Sequence, residues 1–188
     1  MSTHLVLLCA GATASFRAAR FPDPAEPLDE GGRAAVRRFV PGGRRFDRCL
    51  IAPGMAARDT AALLSLAGED EASLRDIDAG DWTGAGLDEV DGAALAAWLA
   101  APETGAPGGE SMAAVADRVG ACLDGLAAGS VLAVTHVAAI RAAIAHALGI
   151  PVAATLGIDV TPLMRVTLSR HGHGHGHGRW RLQEMRRA

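Results

Sequence analysis

The chain contains no lysine, no asparagine and no tyrosine, and all 18 of its basic residues are arginine. Together with the abundance of alanine and glycine, this reads as base-composition bias in the source genome. The choice of arginine over lysine therefore carries little functional information. Basic blocks are also missing, and the net charge is −3, so nothing points to a nucleic-acid partner. Cysteine is scarce, with only Cys9, Cys49 and Cys122. An odd count at wide spacing offers neither a disulfide framework nor a CxxC zinc knuckle. No apolar run is long enough to span a bilayer. The N-terminus shows no charged segment followed by a long apolar one, so no signal peptide is expected. The expectation is a reduced, cytoplasmic protein with no membrane partner.

What is present suits a packed globule. A chain of 188 residues, 49% hydrophobic, predicts one domain over residues 1–188 with a sizeable core. Elements alternate along it. Residues 4–8 form a short apolar run, consistent with a buried strand. Residues 28–39 read as a helix with an acidic start and a basic end, which suits the helix dipole. "FDRCLIAP" is a second strand stopped by Pro53, and "MAARDTAALLSLAG" is a helix closed by Gly68. Residues 74–84 form a carboxylate-bearing loop with Trp82. Residues 87–100 are weakly helical, and 101–109 form a Pro/Gly loop. Residues 110–129 are an amphipathic helix with Met112, Val115, Val119 and Leu123 or Leu126 along one face. "SVLAVTH" is a third buried strand, followed by a helix capped by Gly149. "LMRVTLS" and "RWRLQEM" alternate like antiparallel strands joined by "RHGHGHGHG", residues 170–178.

This order predicts a three-layer α/β architecture: a mostly parallel central sheet, helices on both faces and a C-terminal antiparallel hairpin. In such sheets ligands sit at the carboxyl ends of strands. Three ends therefore matter: Cys9-Ala10-Gly11, Ala52-Pro53 and Thr135-His136.

A series of short motifs, in order, resembles the histidine phosphatase superfamily, the phosphoglycerate mutase-like fold. That family opens with strand-RHGET; here the strand runs into CAGAT, residues 9–13. Arg20 and "PLDEGG" stand where the family has an R-x-x-G-like step and P-L-T-x-x-G. "APGMAARDTA" (52–61) parallels S-P-L-x-R-A-x-Q-T-A, and "LRDIDAGDWTG" (74–84) parallels L-x-E-x-x-x-G-x-W-x-G. P-G-G-E-S is intact at 107–111, "AVTHVAAIRAAI" matches the strand and helix around the second histidine, and W-x-L closes the chain at 180–182.

The departures fall on the chemistry that the resemblance implies. The phosphate-accepting His would be residue 10 and is Ala10. The two clamping Arg would be residues 9 and 56 and are Cys9 and Ala56. The acidic proton donor aligns with Asp76, a shorter carboxylate, and the usual Asn with Phe16. His136 alone is unchanged. The family reaction uses a neutral imidazole as nucleophile, guanidiniums on the equatorial oxygens and a carboxylic acid on the leaving group. Alanine has no lone pair to donate, and two bidentate guanidinium forks are gone. Cys9 does not replace the nucleophile through a C-x5-R loop, because the sixth residue after it is Ser15 and Arg17 comes two positions late. Cys9 therefore reads as a small filler at a strand end, with a reactive thiol as the alternative.

The expected site follows. His136 and Asp76 are vestigial catalytic residues, with a satisfied core histidine as the plainer role of His136. Cys9, Ala10, Gly11, Thr13, Arg20, Ala56 and Glu110 line a ligand pocket. Glu110 also suits a helix start on its own, and Arg20 the solvent. Trp82 reads as packing. Separately, His171, His173, His175 and His177 alternate with glycine, which in extended chain places imidazoles on one side. Imidazole suits Ni, Co, Cu and Zn, so Ni, Co or Zn is the expected ion at this hairpin loop, with low-complexity drift the plainer account. No cofactor is otherwise required.

Three functions compete. One is a pseudophosphatase that acts by binding a small anionic or phosphorylated ligand, or a partner. Another is a phosphatase of altered mechanism using His136 and Asp76 on a small phosphorylated metabolite, as in relatives that dephosphorylate a cobalamin precursor, the α-ribazole phosphatases. The third is transition-metal handling through the His-Gly loop. The first fits best, because the losses are specific to the pocket while the scaffold motifs persist. A homodimer is admitted by all three.

Overall fold

The computed structural model describes residues 2–40, 45–101, 103–172 and 178–187. A six-stranded mixed sheet forms its middle layer, in the order β3-β2-β4-β1-β5-β6. The strands are β1 (Ser2–Cys9), β2 (Arg48–Ile51), β3 (Glu69–Asp70), β4 (Gly129–Thr135), β5 (Arg165–His171) and β6 (Trp180–Arg186). The first four run parallel; β5 pairs antiparallel with β1 and β6 antiparallel with β5. Helices α1 (Ala14–Arg17), α2 (Glu30–Arg38), α3 (Met55–Leu63), α4 (Gly92–Ala100), α5 (Met112–Gly125) and α6 (Val137–Leu148) complete the α/β layers, with helices on both faces of the sheet.

The core explains the arrangement. Leu5, Leu7 and Leu8 of β1, Val131–Val134 of β4, and Ile140 and Ile144 of α6 are buried in one cluster with Val115, Val119 and Leu123 of α5. Each fully buried side chain of this kind contributes roughly 1.5–3 kcal/mol of transfer free energy. Central β1 and β4 carry near-continuous apolar runs because helices cover both of their faces.

Several boundaries differ from expectation. Helix α3 stops at Leu63 instead of reaching Gly68, because Ser65 turns into the left-handed region (φ 55°). Strand β5 begins two residues late: Leu163 has φ 63° and Met164 closes a turn on Thr161. The strand then extends to His171, beyond the expected end. Helix α5 is capped by Ser111, whose hydroxyl accepts from the Ala114 amide at 3.1 Å, so Glu110 lies just outside it. Gly149 does cap α6, with φ 64°.

The 74–84 segment is built on two 3-10 turns, 72–74 and 80–82. Gly80 is at φ 52°, and a Cβ there would lie 2.3 Å from the Pro107 carbonyl oxygen. This close approach is why the P-G-G stretch and Gly80 fit together. The Asp81 amide donates to Pro107 and the Glu110 amide to Asp78.

Candidate functional site

Strand register brings the site together. Cys9 lies opposite Thr135, so the residues that follow, Ala10 and His136, leave the sheet side by side. The Ala10 amide donates to the Thr135 carbonyl at 2.7 Å, and the Ala52 amide to the Val134 carbonyl at 2.9 Å. Ala56 is the second residue of α3. Gly54, just before that helix, approaches His136 so closely that a Cβ there would sit 2.8 Å from Nε2. Asp76 comes in from the opposite wall. Its segment is pinned by the Thr135 hydroxyl, which donates to the Leu74 carbonyl at 2.6 Å. Arg118 ties the same segment down through the carbonyls of Ser73, Arg75 and Asp76. His136 Nδ1 ends 3.7 Å from Asp76 Oδ2, and Nε2 is buried without a hydrogen-bond partner.

Cys9, Ala10, Ala56, Asp76 and His136 thus converge on one cleft of about 760 Å³, together with Gly11, Thr13 and Arg20. Phe16, Met55, Leu87 and Leu156 line it while staying exposed, which gives it an apolar rim. The Gly11 amide is committed to Thr60 Oγ1 (3.0 Å), and Thr13 Oγ1 accepts from Phe16 (3.1 Å), so both shape the loop. Trp82 packs against Phe21, ring centroids 5.1 Å apart, in a small cluster with Trp98.

Two expected pocket residues have other duties. Glu110 is not among the residues lining the cleft; it bonds Arg118 at 2.7 Å and Arg75 at 3.0 Å. Burial opposes its ionisation, but Arg118 and then Arg75 outweigh that and hold its carboxyl below the ordinary range. Glu110 therefore positions Arg118, which positions Asp76. Arg20 reaches the cleft wall, but its guanidinium is held by the Gly84 carbonyl and Glu89, both at 2.7 Å.

Arg141, which sequence reasoning missed, enters the cleft from α6. It donates to the Ile158 carbonyl at 3.2 Å, its Nε is buried without a partner, and no carboxylate lies within ion-pair distance among the described residues. Burial lowers its pKa, with Asp159 and Asp76 pulling the other way. The signal was one charged side chain in the otherwise apolar start of "VAAIRAAIA". The amino ends of α3 and α6 also face the cleft floor, and neither has a side-chain cap. Against these stand the carboxylates of Asp23, Glu26, Asp76, Asp78 and Asp159 in the lining. The Cys9 thiol is pushed up to about 12, first by burial and then by the Asp76 charge.

His171 ends β5, while His173, His175 and His177 lie outside the described residues. Among the described residues, no three His, Cys, Asp or Glu side chains are grouped to hold a metal.

The sequence matches the histidine phosphatase superfamily (branch 1) over residues 5–185. The chain belongs to that superfamily. No curated protein gives a significant match, but solved structures of the superfamily's fold do. "Mycobacterial hydrolase 1" is similar at 26% identity and TM-score 0.83, over 96% of this chain and 97% of that one. A mycobacterial glucosyl-3-phosphoglycerate phosphatase is similar at 27% identity and TM-score 0.78, over 97% of both chains. A protein from Thermus thermophilus follows at 29% identity and TM-score 0.74, over 87% of this chain and 92% of that one. The superfamily scaffold is therefore retained along nearly the whole chain, and no helix among the described residues is long and apolar enough to cross a membrane.

Proposed function

We propose that the protein is a pseudophosphatase, whose cleft binds a small anionic or phosphorylated ligand without transferring its phosphoryl group. The observation that carries this reading is the cleft floor. Where the superfamily resemblance implies Arg, His and Arg, the floor presents Cys9, Ala10 and Ala56. No nucleophile stands at the end of β1, and the Cys9 thiol, held protonated, does not supply one. Arg141 and the uncapped amino ends of α3 and α6 supply attraction for an anion. The carboxylates around the lining temper that attraction. The apolar rim suits a ligand with a hydrocarbon or aromatic body.

The test pairs turnover with binding. Release from p-nitrophenyl phosphate by the wild type should equal the rate without protein and stay there in His136→Ala. Binding of phenyl phosphate, followed by calorimetry, should weaken about 10–100-fold in Arg141→Gln, the loss of a charge-assisted hydrogen bond. Wild-type turnover that disappears in His136→Ala would overturn the reading in favour of an altered-mechanism phosphatase using His136 and Asp76. One observation favours metal handling as a second reading: the ring of His171 has another imidazole beside it.

A further inference from the structure

The cleft occupies the carboxyl ends of β1 and β4. At the other end of β1 a separate pair of side chains meets. His4 on β1 and His171 on β5 place their ring centroids 6.3 Å apart, with planes at 86°. Their strands are antiparallel neighbours, with His4 opposite Ser169 and His171 opposite Ser2. The two histidines are therefore diagonal neighbours on one face of the sheet.

We propose that His4 and His171 are two ligands of a divalent transition-metal site of the Zn²⁺ or Ni²⁺ class. Metal–imidazole bonds are about 2.0–2.1 Å long, so two imidazoles at a tetrahedral angle on one ion hold their centroids roughly 5 Å apart. The observed 6.3 Å is about 1 Å wider, a gap that rotation of the two surface rings closes on an ion. Neither ring has a hydrogen bond or ion pair among the described residues, so each neutral imidazole keeps an uncommitted nitrogen lone pair. His4 is also the one imidazole in a strand that is otherwise apolar from Leu5 to Leu8. Backbone pairing on both sides holds β1 in place, so His4 loses little freedom on binding. Two protein ligands leave coordination positions for water, which fits a borderline ion that takes imidazole readily.

The prediction separates this pair from the His-Gly run. Zn²⁺ and Ni²⁺ are titrated calorimetrically into the full-length wild type, His4→Ala, His4→Gln, His171→Ala, and a variant with His173, His175 and His177 changed to Ser. Each substitution at His4 or His171 should weaken binding about tenfold or more, the least expected from loss of a direct ligand. The triple-Ser variant should still bind one ion. In the NMR spectrum of the wild type, the His4 ring resonances should shift or broaden on adding Zn²⁺. His4→Gln keeps the side chain's size, and matching circular dichroism spectra exclude misfolding as the cause of lost affinity. Wild-type affinity in both His4 variants, unmoved His4 resonances, or a triple-Ser variant that binds no metal would each overturn the proposal.

Discussion

Cys9 shows how burial sets the reactivity of a side chain at a strand end. It ends the first strand at the cleft, yet burial and the nearby Asp76 charge raise its thiol to about 12. Thiolate, not thiol, reacts with alkylating agents. Burial likewise pushes Cys122 up to about 11 and raises Cys49. Iodoacetamide at pH 8 should therefore leave all three cysteines unmodified in the folded protein over minutes, by peptide mass spectrometry, and label all three in urea. Rapid labelling of Cys9 in the native state would contradict the burial argument. At this scale the sequence was readable wherever a motif fixed the position: Cys9, Ala10, Ala56, Asp76 and His136 do meet. It was unreadable where partner choice decided the role. Nothing in the sequence indicates that Glu110 turns away to Arg118, that Glu89 takes up Arg20, or that Arg141 keeps a buried, unpartnered Nε, because those outcomes depend on side chains distant along the chain.

Among the elements, the segment carrying Asp76 is the most constrained. It is irregular, so its position comes from Arg118, Thr135 and the fit of Gly80 against the 107–109 turn. Gly80→Ala would combine a left-handed backbone with a Cβ against main-chain atoms, and should cost about 1–3 kcal/mol in urea denaturation. Gly92→Ala, in the first turn of α4 with nothing within 4 Å of the added carbon, should be neutral or stabilise by up to about 0.5–1 kcal/mol. Equal stability of the two variants would contradict this account of the turn. Strands and long helices were legible because apolar periodicity reports burial directly. The ends of α3 and β5 were not, since Ser65 and Leu163 adopt left-handed conformations that neither residue type advertises. The two-residue strand β3 is too short to show a period.

For the whole molecule, the proposed pseudophosphatase reading separates the superfamily fold from the chemistry of its site. The superfamily match runs from residue 5 to residue 185, and on the proposed reading the departures lie where β1 and α3 meet the cleft. A scaffold held by about 1.5–3 kcal/mol for each buried side chain does not need its catalytic groups to stay folded, so they can change while it persists. The resemblance was legible because several weak motifs in order reflect one topology. The charge of the cleft was not, because it is set by ion pairs that form only on folding. The most direct test of the proposed pseudophosphatase is covalent. Wild-type protein and a Cys9→Arg, Ala10→His, Ala56→Arg variant are incubated with p-nitrophenyl phosphate, quenched under base-stable conditions, and examined by intact-mass and peptide mass spectrometry. The account predicts no phosphoryl adduct on the wild type and an adduct on residue 10 of the folded triple variant, since these groups act as a unit. A phosphoryl group found on His136 or any other side chain of the wild type during turnover would contradict it.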